Sequence, residues 1–309
     1  MDNLNLNVLI KKYLRYGQLQ KRLSEHTIKA YRIDLIQFAS FFEASNKMPD
    51  KEEVLTYLAF LHTSYKVKTV KRKIASIKAF FNYLEEEELL YSNPFSKCRI
   101  KLHEPFMLPR TIPLSTIKIL LQCVYRQKEQ LKNDLTQYKF CLRDIAVLEL
   151  LFATGMRVSE LCSLAADAVD LDDCTVMIYG KGSKERMIQI GNASVITALT
   201  EYYRCFSFDI FKSGCFFVNR LGNQLSDQSV RLMIKKYSDM AGISQHITLH
   251  MFRHSFATLL LEEDVDIRYV QQILGHSSIT TTQIYTHVTT KKQRDILTTK
   301  HPRNKLIIG

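Results

Sequence analysis

Between Cys98 and Ser115 the chain carries Pro105, Pro109 and Pro113 and loses the apolar periodicity it holds on either side. Proline has no backbone N–H and a fixed φ, so neither a helix nor a central strand runs through such a stretch. It reads as a linker that divides the 309 residues near His103, into 1–103 and 104–309. The length agrees, because one hydrophobic core stops growing at about 250–300 residues.

The first part reads as helices. In "LSEHTIKAYRIDLIQFASFFE", Ser24 is placed to cap a helix whose stripe is Ile28, Tyr31, Leu35, Phe38 and Phe42. "PDKEEVLTYLAFLH" repeats the pattern with Val54, Leu58 and Leu61. "VKTVKRKIASIKAFFNYLEEEELL" sets Val70, Ile74, Ile77, Phe81 and Leu84 on one face, with Lys68, Lys71, Arg72 and Lys78 opposite. No acid stands between Glu53 and Glu85. A run of this kind is either a solvated face or a surface that tracks phosphates, and the missing acids favour the second. Asn93-Pro94 in "YSNPF" closes the bundle.

The second part is mostly helical with a small sheet. "CLRDIAVLELLFATG" holds Ile145, Leu148 and Phe152 in register and stops at Gly155; "RVSELCSL" follows as a short helix. "CTVMIYGKGSKERMIQIG" reads as two β-rich runs around a Gly-Lys-Gly-Ser turn, a hairpin. "SDQSVRLMIKKYSDMAG" and "TLHMFRHSFATLLLEE" are helical by pattern, the latter with Phe252, Phe256 and Leu259 as its buried face. In "LGHSSITTTQIYTH", Gly275 ends one helix and Ser277 or Ser278 caps the next. "CVYRQKEQLKNDLTQY", between Ile117 and Arg143, is expected to be a surface elaboration.

The charge of +12 and pI near 9.3 point to an anionic partner. Up to residue 105 there are 18 Lys and Arg against 12 Asp and Glu, so positive charge is denser in the first third. No apolar run approaches the roughly 20 residues of a membrane span, and "MDNLNLNVLIKKYL" lacks the leading positive charge and long apolar stretch expected of a signal peptide. Seven cysteines without a C-x-x-C pair are expected to be buried thiols in a reducing compartment, the cytoplasm.

Several side chains could do chemistry, each with a plainer alternative. His250 and Arg253 share a face in the first turn after a Thr248 cap, where an anion is favoured; taken alone, the pair reads first as a satisfied cap-region histidine and a surface arginine. His250 and His254 have a metal pair's spacing, but Met251 stands where a zinc-protease helix carries Glu, so neither metal nor cofactor is expected. Arg157 follows the Gly155 break, and Glu160, on the same face, could hold its guanidinium. Lys181 sits between glycines at a hairpin tip, where lysines are commonly just solvated. Arg231 and Lys235, one turn apart, are candidate DNA contacts or a solvated face.

The order of these residues is more telling than any one of them. "ATGMRVSEL", "GKGSKER", "LHMFRHSFAT" and "LGHSSITTTQIYTHV" together resemble the tyrosine recombinase (phage integrase) family, of the Xer-like and integron- or transposon-integrase types. "SEHTIKAYRIDLIQF" and "TVKRKIASIKAFFNYL", with the later "NPF", resemble its core-binding domain. The resemblance implies a mainly α fold, with a SAM-like helical core-binding domain at 1–103 and a catalytic domain with a small antiparallel sheet at 104–309. It implies that Arg157 and Arg253 clamp a scissile phosphate, that His250 and His276 assist, that Lys181 is the general acid and that Tyr285 is the nucleophile. Lys184 is then a DNA contact or a bystander.

The same resemblance implies double-stranded recombination sites as partner and strand exchange through a 3′-phosphotyrosyl intermediate and a Holliday junction. It implies a homotetramer in which the tail near Leu306, Ile307 and Ile308 docks on a neighbour. A related recombinase or an accessory DNA-bending protein would be further partners, and the nucleoid the place of action. Two alternatives stay open: a catalytically silent DNA-binding regulator and topoisomerase IB-like relaxation.

Overall fold

Ser24 accepts a hydrogen bond from the Thr27 amide and so starts the helix Glu25–Phe41 where the sequence set it. In the computed structural model, which describes residues 5–42, 48–96, 109–180, 184–275 and 282, the chain divides into two units, Met1–Phe106 and Met107–Gly309. The boundary expected near His103 lies outside the described residues.

The first unit contains α1 (Leu6–Leu19), α2 (Glu25–Phe41), α3 (Lys51–Ser64) and α4 (Val67–Glu86). A reciprocal pair starts α3: Asp50 accepts from the Glu53 amide at 3.0 Å, and Glu53 accepts from the Asp50 amide at 2.9 Å. The predicted stripes on α2, α3 and α4 are buried, Tyr31 only partly. Their aromatic rings meet edge to face, Phe38 lying 5.1 Å from Tyr57 and 5.7 Å from Phe81. After α4, the Asn93 side chain accepts from the Phe95 amide and donates to Asn82, seating Phe95 in the core.

The second unit is built around α6 (Leu135–Thr154), against which α5 (Leu114–Gln130), α8 (Ala193–Ser213) and α10 (Leu249–Glu262) pack. Every residue from Cys141 to Leu151 is buried, so α6 is a central helix rather than one with a single apolar stripe. Its two charges in this run that carry opposite sign pair with each other: Arg143 bonds Asp144 at 2.7 Å, and Asp144 also accepts from the Tyr237 hydroxyl. The stretch expected as a surface elaboration is instead the end of α5, a turn and the start of α6. Val124 is fully buried, Tyr125 donates to Glu149, and Lys128 pairs with Glu201 on α8.

The remaining elements are α7 (Val158–Cys162), β1 (Val169–Asp170), β2 (Thr175–Gly180), β3 (Lys184–Gln189), α9 (Asp227–Met240) and α11 (Ile267–Leu274). The hairpin β2–β3 forms with Gly180 opposite Lys184, and the short β1, which the pattern did not announce, adds an antiparallel third strand. On β3 the alternation buries Ile188 and turns Arg186 to the same side, opposite Ile178.

Two expectations are corrected. On α10, Phe252 is buried but Phe256 and Leu259 are half-buried. That helix serves two apolar groups: the main core takes Leu249, Met251 and Phe252, and a small cluster of Ala257, Val270 and Leu274 takes Phe256. The cysteines are not uniformly buried either. Among the described residues Cys141 and Cys162 are buried, Cys123, Cys174 and Cys215 half-buried, and Cys205 is exposed, off the buried stripe of α8; all are free thiols. No helix among the described residues is long and apolar enough to cross a membrane.

Candidate active site

Gly155 ends α6 in the left-handed conformation, with φ at 59°. A Cβ there would lie 2.5 Å from Phe256 and 3.1 Å from Leu274, so the turn needs glycine for its backbone and for the close approach of α10 and α11. Two residues later, Arg157 leads into α7. Its amide donates to Glu160 at 2.8 Å and its Nη1 to the other carboxylate oxygen at 2.7 Å. Arginine has no acceptor, so only Glu160's half of a capping box forms.

Glu160 is buried and also receives a two-pronged contact from Arg186, at 2.7 and 3.2 Å. Burial alone would raise its pKa. The hydrogen bonds and charges of Arg186 and Arg157 outweigh that and hold the carboxyl below its ordinary range. Glu160 thus stays an anion, and the guanidinium of Arg157 is fixed while 39% of its side chain remains accessible.

Arg253 is not a surface residue. It is buried on α10, donating Nη1 to the Gly155 carbonyl at 2.9 Å and Nη2 to the Leu274 carbonyl at 2.6 Å. Both acceptors are at helix C-termini, where carbonyls lack intrahelical partners and a cation is favoured. His250, exposed, lies one turn before it. Thr248 occupies the cap position of α10, but its side chain makes no capping hydrogen bond. On the same helix, burial and then electrostatic repulsion from His250 and Arg253 push His254 down to about 4, leaving it neutral near pH 7.

The structure therefore brings Arg157 and Arg253 to one turn, with His250 on the same helix as Arg253. Lys181, His276 and Tyr285 lie outside the described residues, as do Ser277, Ser278, the side chain of Lys184 and the tail at Leu306, Ile307 and Ile308. Gly275 ends α11 in the left-handed conformation, as its sequence position implied.

Of the basic residues on α4, Lys68 and Arg72 are exposed and Lys71 and Lys78 half-buried. The face is not without an acid. Asp34, fully buried on α2, crosses to α4 and accepts from Arg72, from Lys73 at 3.1 Å and from Ser76 at 2.8 Å. Asp34 lies on another helix, 38 positions before Arg72, so the pattern along α4 does not reveal it. In the second unit, Arg231 and Lys235 are exposed on α9 and line a cleft of about 420 Å³ that reaches Thr248 and Leu249, where α10 begins.

The family model "Phage integrase family" matches residues 125–292, and "Phage integrase, N-terminal SAM-like domain" matches 10–88. The chain belongs to the phage integrase family. A tyrosine recombinase of Agathobacter rectalis is 53% identical, covering 97% of this chain and 98% of its own. Tyrosine recombinase XerC of Halalkalibacterium halodurans is 35% identical over 95% of this chain and 97% of its own. Like these phage integrase relatives, the chain is a tyrosine recombinase, an enzyme of site-specific DNA recombination. A structure of XerH recombinase bound to palindromic difH, a post-cleavage complex, has a TM-score of 0.74 at 22% identity, covering 94% of this chain and 83% of that one, which speaks for the shared fold.

Proposed function

We propose that this recombinase cleaves and rejoins DNA through a 3′-phosphotyrosyl intermediate on Tyr285 and a Holliday junction, with neither metal nor ATP. The observation that carries the reading is the convergence of Arg157, locked by Glu160, and Arg253, locked to Gly155, at a single turn. A phosphodiester already repels nucleophiles, and attack on it adds charge to the phosphoryl oxygens. Two guanidinium forks, helped by His250 and His276, stabilise that charge.

In the proposed step the phenol oxygen of Tyr285 forms a bond to phosphorus as the bond to the 5′-oxygen breaks. The phenol gives up its proton to a neighbouring base, and Lys181 donates one to the departing oxygen. An unassisted phenol, with a pKa of about 10, is a poor nucleophile near neutral pH, so the clamp has to act during attack. The tyrosyl ester keeps the bond energy, and a second 5′-hydroxyl reverses the step on a new strand. Lys68, Lys71, Arg72 and Lys78 of the first unit, and Arg231 and Lys235 of the second, are proposed to hold the duplex backbone. Four protomers on two sites, linked by tail exchange, would carry strand exchange inside the cell. The bundle at 1–103 is proposed as the core-binding domain and 104–309 as the catalytic domain.

The test is covalent capture. A random-sequence library of nicked duplexes selects the DNA that the protein traps, and the adduct is analysed without Mg²⁺. We expect a 3′-phosphotyrosyl adduct that Tyr285→Phe abolishes. If the protein binds a site tightly yet never forms an adduct, the regulator reading replaces this one.

A further inference from the structure

We propose that Arg186, on β3, is a positioning residue for the reaction: it locks Glu160, which aims Arg157, and it closes the end of α11. The inference rests on the recombinase reading above and concerns a residue that would act through Glu160 and Arg157 rather than on the reacting atoms.

Three of the five N–H groups of Arg186 are committed. Nη2 and Nη1 donate to the two oxygens of Glu160 at 2.7 and 3.2 Å, and Nε donates to the Ile273 carbonyl at 2.9 Å. The side chain is 11% exposed, so it sits behind the site rather than in it. Glu160 accepts two hydrogen bonds from Arg186 and two from Arg157. One carboxylate is thereby fixed by two arginines, and only Arg157 retains an accessible guanidinium.

The end of α11 completes the argument. A helix leaves its last four carbonyls without intrahelical donors. In α11 these belong to Gln271, Gln272, Ile273 and Leu274, and all four are satisfied. The Gly275 amide serves Gln271 and Gln272, Arg186 serves Ile273, and Arg253 serves Leu274. Two arginines from different elements thus occupy the negative end of one helix dipole. Space around them is tight: a Cβ on Gly275 would lie 2.9 Å from Arg186 Nη1 and 3.1 Å from its Cδ, at a φ of 65°. The residue after this closure is His276. Arg186 therefore joins the strand after the hairpin tip, the helix that Arg157 starts and the helix end before His276.

Lysine at 186 keeps the charge but cannot span a carboxylate and a carbonyl at once. Its consequence should fall on the phosphate clamp. Replacing one non-bridging oxygen of the scissile phosphate by methyl gives a neutral methylphosphonate, on which a cationic clamp has less to stabilise. The experiment compares cleavage at saturating DNA, on a selected site, for wild type, Arg186→Lys and Arg186→Gln, with phosphodiester and with methylphosphonate. Each variant's two rates come from one preparation, so an unfolded fraction cancels in their ratio. Losing an aligned charged hydrogen bond predicts a loss of about tenfold or more on the phosphodiester and about threefold or less on the methylphosphonate, with duplex affinity within about threefold of wild type. If Arg186→Gln does not accumulate folded, Arg186→Lys is read alone. Equal losses on both substrates, or wild-type cleavage by Arg186→Lys, would overturn the role. Failure of the wild type to form an adduct at all would instead overturn the recombinase chemistry.

Discussion

The guanidinium of Arg253 donates to the carbonyl of Gly155 at 2.9 Å across 98 positions of sequence. The bond ties α10 to the turn that launches Arg157. Its second prong, to Leu274, adds the end of α11. Under the proposed function, stability and catalysis are coupled at this one side chain.

Arg253→Lys should separate the two effects. An ammonium cannot serve both carbonyls in this geometry, so one buried acceptor loses its donor at a cost of about 1–3 kcal/mol. Urea unfolding should register that loss, and covalent capture should register a much larger one, while affinity for duplex stays near wild type. Near wild-type capture would remove Arg253 from the clamp.

Two left-handed glycines offer an internal comparison. Gly155 and Gly214 both end helices, at φ 59° and 68°, but a Cβ on Gly214 meets nothing within 4 Å. Gly214→Ala should therefore cost only the backbone strain, about 1–2 kcal/mol. Gly155→Ala adds a collision with Phe256 and should cost about 1–3 kcal/mol more. Equal costs in denaturant melts would mean that Phe256 swings away freely.

The pH dependence of stability should distinguish two buried acids. The Glu160 carboxyl is held below its ordinary range, so its contribution is present above the unfolded value of about 4.3 and is lost as pH falls through the folded one. Glu160→Gln should be destabilising at pH 7, with the gap to wild type closing in acid. Glu149 is the opposite case: burial raises its pKa despite the hydrogen bond from Tyr125. Its contribution is present below the unfolded value and lost as pH rises through the folded one, so Glu149→Gln should be neutral or stabilising at pH 7. A matching loss of stability in both variants at neutral pH would contradict these environments.

On α4 the salt dependence of DNA binding is the measurement. Neutralising Lys71 and Lys78 together should weaken binding and reduce the slope of log K against log salt by about 2, at roughly 0.9 per phosphate contact. Arg72→Gln should change the slope less, because Arg72 is already bonded to Asp34, and should cost stability by leaving that acid fewer partners. An unchanged slope in the double variant would take α4 out of the interface.

Much was settled by sequence alone, because the relevant physics is local. Helical spacing of Val70, Ile74, Ile77, Phe81 and Leu84 fixed which side of α4 faces inward. Ser24 and Gly275 marked helix ends because caps act within a few residues. Glu160 could be paired with Arg157 because they are one turn apart. The ordered series from Arg157 to Tyr285 pointed to the family before any fold was known. The tertiary structure decided what distant elements do to one another. It buried Arg253, set Asp34 under a face that looked free of acids, buried α6 on every side from Cys141 to Leu151, and turned Arg186 onto Glu160 and Ile273. In the structure, strand alternation puts Arg186 on the same side as the buried Ile188, but no local rule names its partners. Burial and long-range hydrogen bonding depend on which surfaces meet, and that is fixed only when the helices pack.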